Sequence, residues 1–138
     1  MSIPPDLKNL AYPLAQNAAS LRTASGRSLE ELDIEAICNG KVSAGDLRIQ
    51  GDTLQAQAEI ARQAGFDRVA ENLHRAAELA RVPNDELLRM YEALRPGRST
   101  YDQLISLAEE LEHRFQAPRT GRFFREAAEV YRQRNLLK

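Results

Sequence analysis

The chain has a single cysteine, Cys38, and no tryptophan among its 138 residues. One thiol excludes an internal disulfide framework and any thiolate zinc site built from this chain alone. With four Tyr and four Phe as its only aromatics, the chain must build its core mostly from Leu, Ala, Ile and Val, which suits closely packed helices better than a sheet. An excess of one charge is missing too: 19 Lys and Arg stand against 20 Asp and Glu, a formal charge of −1. No global positive field therefore exists to hold nucleic acid by its phosphates. No apolar run approaches the roughly 18–20 residues that span a bilayer, and no basic-then-apolar signal segment opens the sequence. These lacks point to a soluble, cytoplasmic chain of one domain that engages neither nucleic acid nor membrane.

What is present is helical punctuation. Pro4, Pro5 and Pro13 deny a continuous helix its donors and φ freedom, so residues 1–22 read as an irregular arm ahead of a helical domain over 23–138. Ile3, Leu7, Leu10 and Leu14 in that arm do fall at helical spacing and allow a short amphipathic turn that docks on a partner. Ser28 with Glu31 has the spacing of a capping box, Gly40 offers a left-handed stop, and Ser43 with Asp46 repeats the capping pattern. Residues 23–49 are therefore two or three short helices joined by tight turns.

Five longer helices follow. The first runs over 52–64 with Leu54, Ala58, Ala61 and Ala64 on one stripe and Gly65 as its stop. Asp67 caps the second, whose Val69, Leu73, Ala76 and Ala80 face inward before Pro83. Asn84 and Asp85 open the third, with Leu87, Leu88, Tyr91 and Leu94 inward, and Arg95-Pro96-Gly97 closes it. Ser99 or Thr100 caps the fourth, carried by Leu104, Leu107, Ala108, Leu111 and Phe115. Pro118 starts the fifth, with Phe124, Ala127, Ala128 and Tyr131 as its stripe. No alternating strand pattern of useful length appears, so the fold class is all-α.

Chemistry is harder to find. Glu71 with His74, and Glu110 with His113, repeat the Glu-x-x-His pattern of di-metal carboxylate bundles. At about 100° per residue both pairs point away from the apolar stripes, so they read as charged-face residues rather than ligands. Cys38 ends a short apolar helix with neither His nearby and reads as a buried small hydrophobe. Ser25-Gly26-Arg27-Ser28 is a turn with a cap rather than a phosphate loop. Beyond His113 the chain turns basic, with Arg114, Arg119, Arg122, Arg125, Arg132, Arg134 and Lys138 against Glu126 and Glu129, a face that is solvated or paired with acids. No catalytic, cofactor-binding or metal-ligating residue emerges. Two classes remain: a helical interaction or assembly subunit, or an enzyme using groups not recognisable from one sequence. A stand-alone adaptor is the alternative within the first.

Thr23 to Ile49, AAELARVP (Ala76 to Pro83), YEALRPGRST (Tyr91 to Thr100), LAEELEH (Leu107 to His113) and REAAEVYRQRN (Arg125 to Asn135) together resemble one family. It is the small, or γ, subunit of adenosylcobalamin-dependent diol and glycerol dehydratases, and the similarity runs from about Tyr12 to the C-terminus. The resemblance implies a helical, non-catalytic subunit in a dimer of heterotrimers with large (α) and medium (β) subunits. It implies conversion of propane-1,2-diol or glycerol to an aldehyde and water by radical 1,2-hydroxyl migration. It also implies adenosylcobalamin between the large and medium subunits, a potassium or calcium ion in the large one, and a reactivating factor acting on the complex. Contacts to the large subunit are expected at residues the stripes leave unexplained or that lie in the turn-rich block: Leu29, Leu32, Ile34, Ile37, Leu47, Ile49, Tyr91, Arg95 and Arg98. Family members usually carry an aromatic where Gly97 stands, so a looser turn is expected there. A short arm ahead of the shared block favours the glycerol side and a free cytoplasmic complex, with a bacterial microcompartment as the other location.

Overall fold

The structure, a computed structural model, describes Leu7 and residues 11–138. It is all-α: among the described residues no strand forms, and a lone antiparallel bridge joins Arg22 and Ser28. The chain divides into two compact units, Met1–Ala77 and Glu78–Lys138.

The first unit opens with 3-10 helices at Leu14–Ser20 and Leu29–Glu31, then α1 (Ile34–Cys38), α2 (Gly51–Gln63) and α3 (Asp67–Leu79), whose last residues pass into the second unit. Of the amphipathic series in the arm, Leu7 and Leu14 are buried, while Ile3 and Leu10 lie outside the described residues. The helix expected from Ser28 to the stop at Gly40 is split at Leu32 and Asp33 into the 3-10 turn and α1, the second capped by Asp33. Ser28 N–H donates to Glu31 at 2.6 Å, Ala36 N–H donates to the Asp33 carboxylate at 2.6 Å, and Gly40 adopts φ +68° after α1. The Ser43–Asp46 pattern closes a turn and no helix, because the Asp46 carboxylate is shared with a distant loop. Gly65, at φ +83°, ends α2, and Phe66 N–H returns to Ala61 O at 2.8 Å. Gly51 brings the backbones of α2 and α3 together: a Cβ there would stand 3.0 Å from Ala77 O.

The face of α3 differs from the expected one. Ala70 and Ala77 are its buried residues and Val69 and Ala80 are exposed, a rotation of about one residue, or roughly 100°. Glu71 and His74 are consequently half-buried instead of facing solvent. Small alanines let backbones approach, and the period of larger apolar groups misplaced the seam. Cys38, expected inside, is exposed, since α1 buries none of its five residues.

The second unit holds α4 (Asn84–Ala93), α5 (Tyr101–His113) and α6 (Pro118–Gln133). Thr100 and Gln103 form the capping box of α5, with Thr100 N–H donating to Gln103 Oε1 at 2.9 Å and Gln103 N–H to Thr100 Oγ1 at 3.3 Å. Pro118 takes the first turn of α6. Leu104, Leu107, Ala108 and Leu111 of α5 meet Phe124 and Ala128 of α6 and Met90 of α4 in one buried cluster. Each large side chain there is worth about 1.5–3 kcal/mol of burial. Met90 is the buried residue of α4, whereas Leu88 and Tyr91, expected inside, are exposed. Gly121 makes the α5–α6 contact close, because a Cβ on it would lie 2.9 Å from Ala108 O and 2.5 Å from Glu112 Cγ. The turn at Gly97 is held by backbone hydrogen bonds. Gly97 N–H donates to Leu136 O at 2.7 Å, Lys138 N–H donates to Ser99 O at 3.0 Å, and φ is +74°.

Candidate docking surface

The first unit carries an apolar groove of about 460 Å³, walled in part by Leu21, Leu29, Leu32, Leu47, Ile49 and Leu54. Two turns meet at its edge through Asp46. The Ser25 hydroxyl donates to one carboxylate oxygen, and Ser43 donates to the other from its N–H at 2.9 Å and its hydroxyl at 2.7 Å. The Ser25 bond first, and then those from Ser43, hold the Asp46 carboxyl well below the usual carboxylate range. An ionised, buried carboxylate that accepts from both turns links them at the edge of the groove.

Four expected contact residues, Leu29, Leu32, Leu47 and Ile49, are gathered in this groove. Ile34 and Ile37 share the outer face of α1, with Ile34 81% exposed. Tyr91, Arg95 and Arg98 belong to the second unit, where Arg95 and Arg98 both reach Glu92, at 3.1 and 3.2 Å. Beside them a polar cleft of about 490 Å³ is lined by Arg89, Glu92, Arg98, Ser99, Gln103 and Glu110 among others. The expected contacts therefore form a groove set and an α1 pair in the first unit and an α4-side set in the second.

Glu110 accepts from Arg89 at 2.6 Å and from Arg114 at 2.6 Å, which, Arg89 foremost, lowers its pKa. His113 is exposed at the end of α5. Among the described residues no three His, Cys, Asp or Glu side chains are grouped to hold a metal ion. Part of the basic run after His113 is paired within the chain. Arg114 also reaches Glu86 at 2.9 Å, Arg125 reaches Glu112 at 2.8 Å, and Arg132 reaches Glu129 at 2.8 Å. Among the described residues no helix is long and apolar enough to cross a membrane.

Sequence reasoning missed Glu78. Its carboxylate accepts from Arg119 N–H at 3.0 Å, Thr120 N–H at 2.8 Å and Thr120 Oγ1 at 2.7 Å, and so caps α6 across 41 residues. The one available signal was negative: Ala117, the residue before Pro118, has no side chain that could cap.

A family profile described as dehydratase small subunit matches residues 7–138. The chain is 48% identical to the propanediol dehydratase small subunit of Citrobacter freundii and 46% identical to that of Salmonella typhimurium strain LT2. Each similarity covers 92% of this chain and 74% of the relative.

Proposed function

Because this chain belongs to the dehydratase small-subunit family, we propose that it is the non-catalytic small subunit of a diol dehydratase that converts a 1,2-diol, propane-1,2-diol or glycerol, to an aldehyde and water. The observation that carries this reading is the match over residues 7–138. In the proposal the working assembly is a dimer of heterotrimers with a large and a medium subunit. Adenosylcobalamin and a potassium or calcium ion belong to those subunits, and a reactivating factor acts on the whole. In the proposal this chain holds neither group. No chemical step is assigned to its side chains. The complex is placed in the cytoplasm, free or within a microcompartment, with the arm 1–22 as a segment distinct from the body 23–138.

The role left to this chain is to cover apolar surface on the large subunit and hold it in shape, since binding only the folded partner stabilises that form by mass action. Leu29, Leu32, Leu47 and Ile49 in the groove, Ile34 and Ile37 on α1, and Tyr91, Arg95 and Arg98 beside α4 are the proposed contacts. Tyr and Arg are the side chains that most often dominate interface energetics. The test is co-expression with the large and medium subunits, followed by size-exclusion chromatography and an aldehyde assay with and without this chain. A three-component complex that forms aldehyde only in its presence supports the reading. Replacing Leu32 and Ile37 with Asp is expected to weaken co-purification with the large subunit by tenfold or more, at about 1.4 kcal/mol per tenfold. Unchanged heterotrimer and activity would reject this placement.

A further inference from the structure

The first unit encloses little that could keep its turn-rich block ordered. Across residues 23–50 the buried side chains are Val42 and Asp46, one of them a carboxylate. The large apolar residues of the block point outward instead: Ile34 is 81% exposed, Ile49 71% and Leu47 61%. Its two helical elements have three and five residues, whereas an isolated helix shorter than about 12–15 residues is marginal in water. The backbone hydrogen bonds described within the block join close sequence neighbours, such as Lys41 N–H to Ala36 O at 2.9 Å and Glu31 N–H to Ser28 O at 3.2 Å. The side-chain link from Ser25 to Asp46 spans the block, but it joins two turns without covering any apolar group. The second unit is built differently, with Leu104, Leu111, Phe124 and Met90 enclosed in one cluster.

A block that exposes its aliphatic side chains and closes only local hydrogen bonds lacks the burial that offsets chain entropy. From this contrast we infer that residues 23–50 take up their fixed conformation on the large subunit, so that folding of the block and assembly of the enzyme are one event. The inference rests on the docking reading above and deepens it. The occupant follows from the family, which makes this chain one subunit of a dehydratase, and from the docking reading, in which Leu29, Leu32, Leu47 and Ile49 of this block wall the groove that meets the large subunit. The consequence is regulatory. An unassembled small subunit exposes an open, protease-accessible block, and assembly closes it, which ties the lifetime of this chain to the presence of its partner.

Hydrogen exchange read by mass spectrometry on the full chain, alone and within the purified three-subunit complex, tests this. In the free chain, amides of 29–38 are expected to exchange within about tenfold of unstructured-peptide rates while those of α5 and α6 stay protected. In the complex, with the large subunit at a hundred times its dissociation constant, the same amides are expected to slow by on the order of a hundredfold. Three results overturn the inference: protection of 29–38 in the free monomer equal to that of α5 and α6, protection acquired in a homodimer of the free chain, or a stable complex in which 29–38 remain open. Failure of the complex to form at all is a separate result, which removes the docking reading and this inference with it.

Discussion

Removing the Glu78 carboxylate tests whether α6 depends on a cap supplied from far along the chain. The first turn of a helix leaves N–H groups without intrahelical partners, and Pro118 eliminates one of them while Ala117 caps none. Glu78 takes three donors at 2.7–3.0 Å: the N–H groups of Arg119 and Thr120 and the Thr120 hydroxyl. Thr120 is only 3% exposed, so water replaces the carboxylate poorly at two of the three. Loss of a cap costs about 1 kcal/mol, and a buried donor left without a partner costs about 1–3 kcal/mol more. Glu78→Ala is therefore expected to lower stability by about 2–4 kcal/mol. At about 4 °C per kcal/mol for a chain of this size, the thermal midpoint followed by helical circular dichroism should fall by roughly 8–16 °C. Glu78→Gln keeps one acceptor oxygen but turns an amide N–H toward a donor, so it should cost about half as much. Thr120→Val, which deletes the hydroxyl alone, should cost about 1 kcal/mol. A Glu78→Ala protein within 0.5 kcal/mol of the parent, on the order of an ordinary surface substitution, would refute the capping argument.

The two glycines of the second unit should fail for different reasons. Gly121→Ala places a methyl 2.9 Å from Ala108 O and against the Glu112 side chain that pairs with Arg125. Overpacking of about 1–3 kcal/mol then outweighs the roughly 1 kcal/mol that Ala gains over Gly in a helix, and a variant more stable than the parent on thermal unfolding would contradict this. Gly97→Ala meets no atom within 4 Å, so its cost is the left-handed backbone alone, about 1 kcal/mol, measurable as a shift in urea midpoint with unchanged slope. Glu110 provides a pH test. Arg89, then Arg114, depress its pKa, so its stabilisation is complete above the ordinary carboxylate value of about 4.3 and is lost as pH falls through the lower native value. Glu110→Gln should cost about 0.5–1 kcal/mol at pH 7, with the gap to the parent closing in acid; a gap independent of pH would refute the assignment.

Where the sequence was legible, local chemistry sufficed. The Thr100 and Gln103 capping box, Pro118 in the first turn of α6, the stops at Gly40 and Gly65, and the α5 stripe through Leu104, Leu107, Ala108 and Leu111 all appear as their spacing predicts. Each of these signals is written within a turn or two of the residue it governs. The misplacements share another property. Leu88 and Tyr91 on α4, Val69 on α3 and Cys38 on α1 were all assigned inward because they are apolar. Periodicity ranks faces by hydrophobicity on the premise that water lies on the other side. A helix with a second apolar face breaks that premise, and the seam is then set by small residues such as Ala70 and Ala77, or by Met90, which admit close backbone approach or fill gaps. Long-range features escape for a different reason: the reach of Glu78 to Thr120 and of Ser25 to Asp46 depends on a tertiary arrangement that spacing does not encode. On the docking proposal, the exposed Tyr91 is what an interface helix requires, since a face that must later meet another chain cannot be polar throughout.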